Sequence, residues 1–156
     1  MIILGIDPGL ARMGWGVVDD NKRRVCAIDY GCFETEKTTP HAERLLAVHN
    51  ELTGIIKKYK PDRVAVEQLF FSKNVKTALQ VGEARGVIML TCAQSSAPVV
   101  EISPKAVKLA LTGYGQADKA QMQKIIQLTL KLKELPKPDD AADALAIAIV
   151  GARVSA

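Results

Sequence analysis

The 156-residue sequence is poor in the side chains that usually act as nucleophiles or soft metal ligands, with two histidines and three cysteines. Cys26, Cys32 and Cys92 are odd in number and lack metal-ligand spacing, so we interpret them as small apolar residues in a reducing compartment. His49 falls on the apolar stripe of a predicted helix, which indicates a core histidine. No Ser/His/Asp arrangement can be recognised with so few histidines.

Long apolar runs and an N-terminal export signal are also absent. No run approaches the roughly 20 apolar residues that span a membrane, and the first strand reaches Asp7 without the positive segment of a signal peptide. We therefore expect a cytoplasmic protein with no membrane contact. The sequence shows no repeat, linker or low-complexity segment, so we predict a single domain over residues 1–156.

Charge is slightly unbalanced, since 21 lysines and arginines against 17 acids give a formal net charge of +4. This excess favours a polyanionic partner only weakly, because many proteins without such a partner are equally basic. An acidic cluster inside this basic background is typical of a metal-dependent enzyme that acts on phosphodiesters.

The apolar periodicity predicts an α/β fold. A buried run and two further strands separated by short turns indicate an antiparallel meander, and two later strands alternate with helices. The predicted strands are 2–7, 13–19, 24–34, 62–67 and 97–102. The predicted helices are 40–60, 74–95, 104–111, 118–132 and 139–152, with Thr39 and Ser103 as N-caps. Right-handed crossovers then give a five-stranded mixed sheet flanked by helices.

Four acids lie where these elements end or begin. Asp7 ends the first strand and Glu67 the fourth, and the predicted sheet places them at the same edge. Asp140 and Asp143 are three residues apart in the first turn of the last helix, so they share one face. Carboxylates that converge in this way repel one another unless a cation lies between them. The pattern predicts a site for Mg²⁺, with Mn²⁺ as a substitute, and several carboxylates can hold two ions.

Each acid also has a structural explanation when taken alone. Asp7 precedes Pro8-Gly9 and could belong only to a turn. Asp140, or its neighbour Asp139, could cap the last helix. Glu67 could pair with Arg63 or Arg85.

Basic and aromatic residues next to these acids suggest a nucleic acid. The segment after Glu67 carries Phe70, Phe71 and Lys73, and aromatic rings stack on unpaired bases while lysines neutralise phosphates. Lys108 and Lys119 flank a glycine-containing loop that allows close approach of a phosphate. A solvated lysine face and a phenylalanine buried in the core are the alternatives.

The helix predicted over 74–95 is apolar on most sides and contains small residues at Gly82, Ala84 and Gly86. It carries more apolar surface than one face of a sheet requires. We therefore predict a homodimer that is formed through this helix.

Taken as a set, five segments resemble the RuvC family of bacterial Holliday junction resolvases, and they occur in that family's order. They are Gly5-Ile6-Asp7-Pro8-Gly9, Val66-Glu67-Gln68, Gly82-Glu83-Ala84-Arg85-Gly86, Gly113-Tyr114-Gly115-Gln116-Ala117-Asp118-Lys119 and Asp140-Ala141-Ala142-Asp143-Ala144-Leu145-Ala146-Ile147-Ala148.

The resemblance implies a ribonuclease H-like fold, a homodimer and magnesium-dependent paired nicking of four-way DNA junctions. It places the family's acidic tetrad on Asp7, Glu67, Asp140 and Asp143. It implies that Phe70 stacks on a base, that Lys73, Lys108 and Lys119 contact DNA, and that a branch-migration motor is a partner. Another ribonuclease H-like nuclease, acting on RNA–DNA hybrids or other branched nucleic acids, is the alternative. A non-catalytic DNA-binding module is a weaker one, because its acids would repel phosphate.

Overall fold

The computed structural model describes residues 1–21, 24–69 and 75–154. It contains five strands: β1 (Ile2–Asp7), β2 (Arg12–Asp20), β3 (Val25–Glu34), β4 (Arg63–Glu67) and β5 (Val99–Ile102). Five helices accompany them: α1 (His41–Tyr59), α2 (Val75–Ala93), α3 (Pro104–Thr112), α4 (Lys119–Leu130) and α5 (Asp139–Gly151). The predicted bounds agree with these within about two residues at each end.

The strands form one five-stranded mixed sheet in the order β3-β2-β1-β4-β5. The first three strands pair antiparallel, as short turns require, and β4 and β5 join in parallel. The predicted five-stranded mixed sheet is therefore confirmed. The central strand β1 pairs with β4 through Ile6 and Val66, which places the next two residues, Asp7 and Glu67, at the same edge.

Helices cover both faces of the sheet, because successive side chains of β1 point to opposite faces. Leu4 and Ile6 pack with α1 and with Ile88 of α2. Ile3 packs on the other face against α5, and α4 contributes Ile126 to the same core. The two cores hold the sheet between two helical layers.

Helix α5 lies against the backbone of the sheet, and glycines make this close approach possible. A Cβ added at Gly5 would lie 2.1 Å from the carbonyl oxygen of Ala144. A Cβ at Gly14 would lie 2.0 Å from the carbonyl oxygen of Asp140. Gly14 is also the pairing partner of Asp7 on β1, so the start of α5 is held beside the end of β1.

A local cap explains where α3 begins, but not where α1 begins. Ser103 accepts a hydrogen bond from the backbone N–H of Ala106, as predicted. The prediction that Thr39 caps α1 is wrong, because Pro40 has an extended backbone with ψ of 141° and the helix starts one residue later. In the part of the chain that the structure describes, no helix is both long and apolar enough to cross a membrane.

Candidate active site

Asp7 and Glu67 form the centre of the site. They end two neighbouring parallel strands, and their carboxyl groups share a hydrogen bond. Burial raises the pKa of Asp7 to about 8, and the charges of Glu67, Asp143 and Asp140 add to the effect. Burial also raises the pKa of Glu67, with the charge of Asp143 as the next cause. The raised pKa of Asp7 favours a protonated Asp7 whose hydroxyl donates to the Glu67 carboxylate.

Helix α5 contributes the other two acids. Asp140 lies in its first turn, whereas Asp143 lies in the second, so the prediction of both in the first turn is wrong for Asp143. Burial raises the pKa of Asp143, the cation of Lys119 opposes that rise, and Asp139 and Asp140 add to it. The structure thus brings all four predicted acids into electrostatic contact at one edge of the sheet.

The structure does not support the alternative roles of two of these acids, which were capping of α5 for Asp140 and pairing with an arginine for Glu67. The residue before α5 is Pro138, and no side chain caps that helix. Arg63 donates instead to the carbonyl oxygens of Gly151 and Val154, at 2.9 and 2.5 Å. Arg85 pairs with Glu101, so neither arginine neutralises Glu67.

Arg12 is a neighbour of the site that the sequence patterns did not reveal. Its Nη2 lies 3.1 Å from Oδ2 of Asp140, and its Nε lies 3.3 Å from Oε1 of Glu34. The sequence contains only a weak indication of this role, because Arg12 is a single arginine at the start of the strand that follows the turn after Asp7. Only the register of that strand against α5 shows that this arginine reaches Asp140.

Two lysines form the opposite wall of the site. Lys108 and Lys119 line a cavity of about 220 Å³ together with Glu67 and Asp143. Lys119 opens α4 and pairs with Asp139 at 2.9 Å. That hydrogen bond raises the pKa of Lys119, and the charge of Asp143 adds to the rise. The predicted proximity of both lysines to the acids is therefore found in the structure.

The two other predicted DNA contacts, Phe70 and Lys73, lie outside the residues that the structure describes. Their roles stay predictions. The histidine and the cysteines were predicted to have structural roles. His49 is half-buried, and its Nδ1 is hydrogen-bonded to Oγ1 of Thr91 at 2.8 Å. All three cysteines are free thiols.

The acids fit a hard divalent cation in their chemistry but do not yet converge on one point. Within residues 1–21, 24–69 and 75–154, no three His, Cys, Asp or Glu side chains lie close enough together to hold an ion. Three of these acids have a partner other than a metal ion, since Asp7 is hydrogen-bonded to Glu67 and Asp140 pairs with Arg12 at 3.1 Å. Burial and the charges of three neighbouring acids raise the pKa of Asp7, and a bound cation would relieve the repulsion among them. Four carboxylates are the donors that Mg²⁺ and Mn²⁺ prefer.

Comparison with known proteins identifies the family. The family model described as crossover junction endodeoxyribonuclease RuvC matches residues 3–151. The chain is 57% identical to the RuvC of Chloroflexus aurantiacus over 149 residues, which covers 96% of this chain and 91% of the relative. It is 55% identical to the RuvC of a Roseiflexus species over 146 residues, 94% of this chain and 87% of the relative.

A solved structure agrees with these sequence relatives. Thermus thermophilus RuvC in complex with a Holliday junction substrate superposes with a TM-score of 0.89 at 31% identity, over 97% of this chain and 93% of that one. The match confirms the predicted ribonuclease H-like fold. With the family model spanning nearly the whole chain, this protein belongs to the RuvC family of crossover junction endodeoxyribonucleases.

Proposed function

We propose that this protein is a structure-selective endonuclease that resolves four-way DNA junctions by paired symmetric nicks. The observation that carries the proposal is the position of Asp7, Glu67 and Asp143 opposite Lys108 and Lys119, in a chain of the RuvC family. Carboxylates can hold the cations that hydrolysis of a phosphodiester requires, and lysines can neutralise the charge of the phosphate. An enzyme for RNA–DNA hybrids is not favoured, since the relatives from Chloroflexus aurantiacus and Roseiflexus are crossover junction endodeoxyribonucleases.

We propose Asp7, Glu67, Asp140 and Asp143 as the ligands of Mg²⁺, with two ions per site and Mn²⁺ as a substitute. When bound, the ions would supply an activated water and stabilise the leaving 3′-oxygen. Both Asp7 and Glu67 must be ionised to serve as ligands, and burial raises the pKa of each of them. Asp140 must also turn from Arg12 toward the other acids, and it can do so because it is partly exposed.

Lys108 and Lys119 have the role of stabilising the charge that develops on the attacked phosphate. Both lysines line the cavity beside Glu67 and Asp143, and both of their charges oppose the rise in the pKa of Asp143, so they are close enough to the acids to neutralise a phosphate bound there. Lys119 is already oriented by Asp139, so little ordering is required when the substrate binds. In this proposal Phe70 stacks on a base at the crossover, and Lys73 contacts a neighbouring phosphate.

A homodimer fits the requirement for two cuts, because each chain carries one acidic cluster among its described residues. Helix α2 carries an unpartnered stripe at Leu79, Gly82, Gly86 and Leu90, which recur at helical spacing. Leu79 is 67% exposed and Leu90 59%, and no atom lies within 4 Å of a Cβ built at either glycine. The helix of a second copy can approach this stripe closely. A branch-migration motor is the further partner that we propose from family membership.

Cleavage of a synthetic mobile four-way junction tests the function. We expect paired nicks at symmetric positions with Mg²⁺, and binding without cutting when Ca²⁺ replaces it. Linear duplex and RNA–DNA hybrid of the same sequence are the matched substrates. Cutting of either at the rate of the junction would contradict junction selectivity.

A further inference from the structure

Arg12 links the acidic site to a neighbouring surface, and the inference drawn from it rests on the proposed function. Its guanidinium bridges Glu34 on one side and Asp140 on the other, with N–O distances of 3.3 and 3.1 Å. A guanidinium has five N–H donors, more than two single ion pairs use. The side chain is 45% exposed, so further acceptors can reach it from solvent.

The position of Arg12 is set by the backbone and not by chance contact of long side chains. Gly14 lies two residues further along β2, where its Cα packs against the carbonyl oxygen of Asp140. On the other side, Arg12 is the register partner of Glu34 on β3. The guanidinium is therefore delivered to the first turn of α5 by two rigid elements.

An open groove of about 560 Å³ lies beside this arginine. Its lining residues come from β2, from α4, from the loop before α5 and from the first residue of α5: Arg12, Gln123, Lys137, Pro138 and Asp139. The groove lies on the Asp140 side of the acidic site, whereas the cavity that contains Lys108 and Lys119 lies on the Asp143 side. A strand whose scissile phosphate lay at the acids could continue into this groove.

The charges of the groove favour an anion. Asp139 is its acidic lining residue, and its carboxylate already accepts from Lys119 at 2.9 Å and from Gln123 at 2.8 Å. Lys137 is exposed and makes no salt bridge with any described residue. If Asp140 bound a cation, its ion pair with Arg12 would also be lost or weakened. Arg12, with Glu34 as its remaining acidic partner, and Lys137 then present free N–H donors to the same space.

We infer that this groove is a phosphate subsite, in which Arg12 and Lys137 bind a backbone phosphate of the cut strand next to the scissile one. A guanidinium suits the role because its planar fork matches two phosphate oxygens. The subsite would hold the strand on the Asp140 side of the acids, next to the pair that Lys119 forms with Asp139.

Junction binding tests the subsite independently of cutting. Arg12→Gln and Lys137→Gln are placed in an Asp7→Asn background that cannot cut, and affinity for a four-way junction is measured with Mg²⁺ at several salt concentrations. We expect each change to weaken binding about 10-fold and to lower the salt slope by about 1. Lys57→Gln, an exposed lysine in the last turn of α1, is the charge-matched control and should change neither quantity.

Neutral phosphates locate the contact on the DNA. A methylphosphonate is introduced at each position that flanks the cleavage point in turn, and affinities of the Asp7→Asn parent and the two variants are compared. One flanking position should weaken the parent about 10-fold and weaken Arg12→Gln and Lys137→Gln much less, because the charge pair is already lost. Equal losses in parent and variants at every position would overturn the subsite.

The remaining outcomes are also decisive. If affinity falls only in Arg12→Gln, with a lower unfolding temperature and an unchanged salt slope, then Arg12 has a structural role and the subsite is overturned. The Lys137→Gln variant separates a loss of phosphate binding from a loss of stability, because Lys137 is exposed and its substitution should leave the fold intact. If the parent binds junctions no better than linear duplex, the proposed function itself fails, and the inference falls with it.

Discussion

The Cα of Gly14 packs against the carbonyl oxygen of Asp140, so closely that an added Cβ would lie 2.0 Å from that oxygen. Gly14 is also the register partner of Asp7. This contact, together with the similar approach of Gly5 to Ala144, sets the distance between the strand that supplies the first acid and the helix that supplies the last two. Geometry at the site depends on a residue that has no side chain.

Replacing Gly14 with alanine should destabilise the protein and reduce cutting together. The new methyl group must displace α5, which we expect to cost at least ~2 kcal/mol of unfolding free energy. Gly54→Ala is the matched control, because no atom lies within 4 Å of a Cβ there. It replaces a glycine inside α1 and should stabilise by about 0.5–1 kcal/mol. Urea unfolding measures both, and equal stability of the two variants would contradict the packing argument.

The stability of the metal-free protein should fall as pH rises. The pKa of Asp7 is 3.8 in its ordinary state and about 8 when folded, so the folded protein binds more protons between these values. The stabilising proton is fully present below the lower value and is lost as pH rises through the higher one.

Thermal unfolding in chelator at pH 5 and pH 8 tests this pH dependence. Asp7→Asn should flatten the profile, and its gain over the wild type should be larger at pH 8. Added Mg²⁺ should restore the wild-type stability at pH 8, since cation and proton relieve the same repulsion. Parallel profiles for the two proteins would show that the Asp7 proton is not the cause.

Amide substitutions of the acids should abolish cutting and spare binding. Asp7→Asn, Glu67→Gln and Asp143→Asn each remove a charge from the proposed cation site, and we expect cutting to fall about 1000-fold or more. Junction affinity in Ca²⁺ should be retained, because no phosphate contact is removed. Glu51→Gln in α1 is the control and should cut normally. Retained cutting by Asp143→Asn would place that acid outside the essential site.

Removal of either lysine of the cavity should lower the rate of cutting more than affinity. Lys119→Gln and Lys108→Gln each remove a donor aimed at the attacked phosphate, which we expect to cost about 100-fold in rate. Single-turnover cleavage and binding titrations separate the two quantities. If only the affinity for the junction fell, the lysine would instead make an ordinary contact with the DNA backbone.

A charge on the exposed stripe of α2 should disrupt self-association. Leu79→Lys and Leu90→Lys introduce a cation where a second copy would pack, so we expect monomers at micromolar concentration in sedimentation experiments. Leu128→Lys is the control, because Leu128 is 64% exposed on α4, away from this stripe. A wild-type protein that is already monomeric would exclude the proposed dimer.

The sequence by itself determined the sheet and most of the site. Buried runs and short turns predicted the antiparallel meander, and alternating strands and helices predicted the crossovers, because both signals depend on local periodicity. The position of Asp7 and Glu67 at adjacent strand ends followed from that topology. Asp140 and Asp143 followed from helical spacing alone.

Tertiary structure alone decided how those acids are neutralised. Arg12 meets Asp140 because of the contact between Gly14 and α5, and no local pattern reports a distance between a strand and a helix more than 120 residues away in the sequence. The same holds for the raised pKa of Asp7 and Glu67, whose largest cause is burial. A sequence pattern shows which charges converge, whereas desolvation and long-range packing decide which cation or proton each one takes.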